Sequence, residues 1–215
     1  MKRVIIFLVL TVLVNTSFSQ VHNSQELTYI DEVNLLRTNP KLYAGFVREF
    51  IKAKLIANNL NDTLTLWIAK HELLPLLDTM SPRKALIVND EVRKLLDLHK
   101  GASTLLETRS ANPNNYVMML HDFSMIDTIS NYLFNFLGKH KVNAVTVAET
   151  IGMSPGDFQR KTIISLLIDR NVPDRSHRNR LVANDITHTS VRRVQDGKNV
   201  WWIQEFFSYN RVDNK

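Results

Sequence analysis

Two runs rich in β-formers, Ile186 to Val194 and Val200 to Phe207, flank Gln195-Asp196-Gly197-Lys198 near the end of the chain. Asp-Gly favours the positive φ angles of a two-residue type I′ turn, so the runs are expected to pair as an antiparallel β-hairpin that closes the domain. That hairpin constrains the rest, because the preceding residues are mostly helical in pattern. Asn23-Ser24 offers an N-cap, and Leu27, Ile30, Val33 and Leu36 then recur at helical spacing, which predicts a helix over residues 25–38. Asn39-Pro40 ends it and caps a second helix, whose Tyr43, Phe46, Val47 and Phe50 form an apolar face reaching toward Leu55.

Ser81-Pro82 and Asn89-Asp90 read as further helix starts. After the second of these, Val92, Leu95, Leu96 and His99 fall at i, i+3, i+4 and i+7 until Gly101. Residues 102–116 contain Asn112-Pro113-Asn114-Asn115, a loop signature, and a helix resumes near Asp127 and ends at Gly138. From Lys141 to Ile151 the chain alternates partly and is rich in Val and Thr, as a strand would be. Ser154-Pro155 is expected to cap another helix, buried nearly all round by Ile163, Ile164, Leu166, Leu167 and Ile168. Helices first, a middle strand, a buried helix and a terminal hairpin imply an α+β domain with an antiparallel sheet covered by helices. With no repeat, low-complexity segment or linker, one domain of residues 25–210 is expected.

The N-terminus carries a different message. Lys2 and Arg3 precede an almost unbroken apolar run from Val4 to Val14, and Ser17 and Ser19 then stand at the −3 and −1 positions a signal peptidase accepts. Residues 1–19 are therefore expected to be a cleaved signal peptide, which implies a secreted or periplasmic protein. The run is shorter than the roughly 20 apolar residues needed to span a bilayer, and no second segment is apolar enough. The chain has no cysteine, which excludes both a lipidated N-terminal Cys and disulfides. Removing 19 of the 215 residues leaves 196, ample for a core that needs no cross-links. The formal charge is +6, of which Lys2 and Arg3 supply two, so the body of the chain is only mildly basic. Its denser clusters, Arg175 to Arg180 and Arg192-Arg193, read as solvated surface rather than as a nucleic-acid interface.

The sequence has no His-Glu-x-x-His, no Gly-x-Ser-x-Gly elbow, no P-loop and no dinucleotide fingerprint. Its candidate chemistry lies in dispersed groups beside structural breaks: His121-Asp122-Phe123-Ser124, Glu149 near a strand end, and His177-Arg178 after the buried helix. The order of these pieces resembles the CAP superfamily, or SCP-like extracellular domain, in its bacterial form. The resemblance covers most of the chain after the signal peptide. It rests on Glu32-x-Asn34-x-x-Arg37-x-x-Pro40, Leu98-His99-Lys100-Gly101, His121-Asp122-Phe123-Ser124, Ala148-Glu149-Thr150-Ile151-Gly152, Leu166-Leu167-Ile168-Asp169 with His177-Arg178-Asn179-Arg180-Leu181, and Trp201-Trp202-Ile203-Gln204-Glu205-Phe206. Thr150 and Ala148 depart from the family's usual Asn and Gly.

The resemblance implies an α-β-α sandwich with a central antiparallel sheet covered by helices, and a cleft holding two His and two acidic residues. Carried over residue by residue, His121 and His177 are the imidazoles, Glu149 is the first acid, and the second is Asp169 or, alternatively, Asp174. Two neutral imidazoles can bind Zn²⁺ or another divalent cation with carboxylates as supporting partners. The leading expectation is thus a secreted protein whose cleft binds a divalent cation or a small extracellular ligand, its partner being such a ligand or an envelope component. Two alternatives stand beside it: an extracellular metal-assisted hydrolase of peptides or esters with Glu149 as general base, and a lipid- or sterol-binding module. No dedicated nucleophile is evident, since Ser124 and Ser176 are near His residues only in sequence.

Each of these residues also has a plain structural reading. His99 fits as a packed helix residue, and His121 and His177, read without the resemblance, fit as structural histidines. Asn34 and Arg37 suit a buried hydrogen-bond pair bracing the cleft. Glu149 suits a cap or a partner for Arg178, and Trp201, Trp202 and Phe206 suit sheet packing. His22, His71, His140 and His188 sit in no matching motif.

Overall fold

A computed structural model describes residues 23–57, 62–98, 138–139, 144–196 and 198–209. Residues 1–19, expected to be a signal peptide, His99, the expected loop at 102–116, the His121-Asp122-Phe123-Ser124 motif and the helix expected from near Asp127 fall in residues that are not among those described, Gly138 apart.

The first helix, α1 (Ser24–Thr38), starts at a capping box. The Asn23 side chain accepts from the backbone N–H groups of Gln25 and Glu26 at 3.0 and 2.9 Å, and the Glu26 carboxylate accepts from the Asn23 N–H at 2.9 Å. Glu26 is wholly buried, and its other oxygen accepts from the Arg93 guanidinium at 3.0 Å and the Arg193 backbone N–H at 2.8 Å. One residue thus caps a helix and ties it to two later parts of the chain. Asn39 ends α1 and caps α2 (Pro40–Ile56), with Pro40 at its first turn where a missing N–H costs nothing. Tyr29, Ile30, Val33 and Leu36 of α1 and Tyr43, Ala44, Val47 and Ile51 of α2 form their buried faces.

Next come α3 (Thr63–Ile68), a π-helical turn (Ala69–Leu73) and α4 (Leu74–Thr79). In the wide turn the Leu74 N–H bonds the Ala69 carbonyl five residues back, and Pro75 follows with no N–H to offer the carbonyl of the preceding turn. The chain then forms β1 (Ile87–Val88) and α5 (Asp90–Leu98), which Asn89 caps by accepting from the Val92 N–H at 2.9 Å. The described C-terminal portion contains β2 (Ala144–Pro155), α6 (Gln159–Ile168), α7 (Ser176–Leu181), β3 (His188–Asp196) and β4 (Asn199–Tyr209).

The fold is α+β, around a sheet of order β1-β3-β4-β2. Strands β3, β4 and β2 are antiparallel, whereas β1 lies parallel to β3, so the sheet is mixed rather than wholly antiparallel. The hairpin forms with Asp196 opposite Asn199, and its connecting Gly197 lies outside the described residues. Register fixes the two faces. Trp202 sits opposite Arg193 and Gly152, stacks on Tyr29 with ring centroids 4.8 Å apart, and so faces α1 and α6. Glu205 sits opposite Ser190 and Glu149 on the other face, beside Phe207 and Ile203. Both sets are buried apart from Arg193, which is half-buried.

Two helix starts expected from sequence are not formed. Residues 81–86 are without regular structure. Pro82 disfavours helical backbone at Ser81, and α1 grips the segment from the side: the Arg83 N–H donates to the Arg37 carbonyl at 2.7 Å, and Asn34 brackets both backbone groups of Leu86. At Ser154-Pro155 the strand continues instead, since β2 pairs with β4 as far as Pro155 opposite Asn199. There, at the end of a strand that is at the edge of the sheet among the described residues, the missing proline N–H removes little. Gly156 turns the chain at φ +82°, and α6 begins at Gln159 without a side-chain cap.

Candidate functional site

The connection between α6 and α7 places the groups with chemistry. Helix α6 ends on Asp169 at φ 53°, ψ 45°, and α7 is preceded by Arg175 at φ 54°, ψ 37°. Both are left-handed conformations for residues with a Cβ, and each costs on the order of 1–3 kcal/mol, least for an Asp. Surrounding hydrogen bonds must therefore over-determine the loop. Arg175 does so with Nη1, which donates to the carbonyls of Asp169 at 2.8 Å and Val172 at 3.0 Å. Its Nε and Nη2 form a fork onto the Glu72 carboxylate, both at 2.9 Å. Arg178, buried, donates from Nη1 to the same carboxylate at 2.9 Å and from Nε and Nη2 to the last α6 carbonyls, Leu167 and Ile168. The Arg175 hydrogen bonds, joined by those of Arg178 and by both positive charges, hold the Glu72 carboxyl down at about 2, although partial burial opposes the shift.

Within this frame Asp169 and His177 meet. Asp169 Oδ1 lies 2.7 Å from His177 Nδ1, while Oδ2 accepts from the backbone N–H groups of His177 at 2.9 Å and Arg178 at 3.4 Å. Asp169 is buried and the His177 side chain is 19% exposed. An ionised carboxylate only accepts, so this bond places a proton on Nδ1 and leaves the lone pair on Nε2. A depression of about 400 Å³ opens here, bounded by His177 and Asp169 and by Phe50, Lys54, Ile151 and Leu166.

The other expected residues are placed differently. Glu149 is buried on β2, opposite Glu205, and its backbone carbonyl accepts from Arg180 Nη1 at 2.6 Å. Arg178, suggested by sequence as its partner, spends its guanidinium on Glu72, Leu167 and Ile168. Asp174 is exposed and accepts from the Ser176 N–H at 3.1 Å, so the α7 approach rather than the imidazole occupies it. Ser176 Oγ is shut off from solvent. His121 lies outside the described residues. Asn34 and Arg37 do brace the fold, but through backbone partners rather than each other. The buried Arg37 guanidinium donates to the carbonyls of Lys84, Leu181, Ala183 and Ile186. Burial, reinforced by nearby Arg83, lowers its pKa to about 10, so it remains charged at neutral pH.

Sequence reasoning missed Glu72 and Arg175. Glu72 stands with Lys70 and His71 as a polar island in the largely apolar stretch from Leu64 to Leu77, and that island was the available signal. Among the described residues no group of three or more His, Asp or Glu side chains is arranged to hold a metal ion. What they supply toward a cation is one imidazole nitrogen backed by a carboxylate, the pairing that metal-ligating histidines usually have. Also among the described residues, no helix is long and apolar enough to cross a membrane.

Fold and site together define an α+β domain with a carboxylate-oriented histidine at the edge of a helix-lined depression. Comparison of the chain with protein-family models, with curated proteins and with solved structures finds no match.

Proposed function

We propose that this chain is an exported domain of the CAP type that binds a divalent cation, Zn²⁺ foremost, through His177 and His121. The observation that carries the reading is the 2.7 Å bond from Asp169 to His177 Nδ1, which turns Nε2 into a fixed ligand donor. Asp169 is then the supporting acid of the pair, whereas Glu149 meets the helix that bears His177 only through its backbone carbonyl, which accepts from Arg180, its side chain lying on the sheet face away from α6. The ordered motifs along the chain and the signal-peptide pattern at 1–19 support an extracellular or periplasmic setting and an extracellular ligand or envelope component as partner. Calorimetric titration of metal-free protein with Zn²⁺ tests the proposal, using wild type beside a His121→Ala/His177→Ala double variant. Binding by the wild type alone is expected, and equal binding by both refutes the assignment.

A further inference from the structure

We infer that Glu72, on the π-helical turn between α3 and α4, is the positioning residue that holds the Asp169–His177 pair in its working geometry. The inference rests on the proposed role of His177 as a cation ligand, and it is carried by the hydrogen bonds around one carboxylate. Glu72 accepts a fork from Arg175 and a third bond from Arg178, all at 2.9 Å. Through Arg175 it fixes the carbonyls of Asp169 and Val172, and through Arg178 the carbonyls of Leu167 and Ile168. These four carbonyls run from the last turn of α6 into the loop, and Asp169 itself sits between the two grips.

Strain explains why such a clamp is needed. Asp169 and Arg175 both adopt positive φ, so the loop has a standing tendency to relax toward ordinary backbone angles. Relaxation at Asp169 would turn its carboxylate away from the His177 ring and free the imidazole to exchange tautomers. A guanidinium without its acid partner is a poor clamp: it is drawn toward water, and two cations side by side repel. Glu72 supplies the opposing charge and the planar fork that set both guanidinium planes. The widened π turn, a feature often found at functional sites, is the local device that presents this acid to the loop.

The test reads the ring rather than stability alone. In ¹⁵N-labelled full-length protein at mildly alkaline pH, a His177→Gln spectrum assigns the His177 ring nitrogens. Wild type is expected to show two well-separated ring signals, the signature of one tautomer. In Glu72→Gln those signals should draw together, and Zn²⁺ affinity should fall roughly tenfold, the lower end for loss of a supporting partner. A Glu72→Gln protein that melts earlier yet keeps both the ring signals and the affinity overturns the inference and leaves Glu72 merely structural. If that variant fails to fold, Arg175→Lys, which keeps the charge and loses the fork, is judged by the same two readouts. Should wild type take up no Zn²⁺ while the ring signals still respond to Glu72→Gln, the cation reading fails and the positioning role stands.

Discussion

Gly152 is the tightest point in the packing of β2 on α6, and replacing it with alanine should be costly for a reason that can be isolated. A Cβ at position 152 would lie 2.4 Å from Thr162 Cγ2 and 3.1 Å from Leu166 Cδ1, whereas carbon atoms pack comfortably at about 3.5–4.0 Å. More than 1 Å must be found at the first contact. The Thr162 methyl cannot swing aside, because the side chain is wholly buried and β-branched, and its hydroxyl donates to the Phe158 carbonyl at 3.0 Å. The clash must therefore push helix from strand, which for one extra methyl in a filled core costs about 1–3 kcal/mol. Urea unfolding of Gly152→Ala, Thr162→Ser and the double variant measures it. Thr162→Ser removes the offending methyl and keeps the hydroxyl bond, so alone it should cost about 0.5–1.5 kcal/mol, as buried methyl deletions do. The double variant should recover at least about 1 kcal/mol relative to the sum of the singles. Additive losses, or a Gly152→Ala protein as stable as wild type, would refute the packing argument.

Arg37→Met should destabilise by about 3–5 kcal/mol in the same assay, because the carbonyls of Lys84, Leu181, Ala183 and Ile186 lose a shared buried donor. Acid unfolding should show Glu72 at work. Its carboxyl is depressed from 4.5 to about 2 in the folded protein, so its contribution is complete above pH 4.5 and is lost as pH falls from there toward 2. Solvent reaches this cluster, so the loss should be about 1–2 kcal/mol rather than the full shift's worth, and Glu72→Gln should flatten that part of the stability–pH curve. Asp169→Asn should keep the fold, since Asn tolerates positive φ, while Zn²⁺ affinity measured by calorimetry falls about 10- to 100-fold.

Much of the architecture could be read in advance where side-chain period and cap chemistry agreed. The first two helices were signalled by Asn23 and Asn39 together with a clean apolar period, and the hairpin by Asp196-Gly197 between β-branched runs. The reading failed where tertiary hydrogen bonds outweighed a local signal. Ser81-Pro82 looks like a helix start, but Arg37 and Asn34, some 50 residues earlier in the chain, hold that segment open. Ser154-Pro155 looks like a cap, but pairing with β4 carries the strand through it. At the site, the Leu-Leu-Ile-Asp and His-Arg pieces pointed to Asp169 and His177, which the fold joins by a hydrogen bond. Glu72 could not be found that way, because it is distant from the loop in sequence and acts through two arginines that composition assigned to solvent.

In the proposed site, Asp169 presents His177 Nε2 to a divalent cation. Anomalous diffraction at the zinc edge, from crystals of the protein loaded with Zn²⁺, tests it most directly. A peak about 2.0–2.1 Å from His177 Nε2, with the Asp169–Nδ1 bond intact, is expected. A peak elsewhere with none at His177, or zinc bound through Nδ1 with Asp169 displaced, would contradict it.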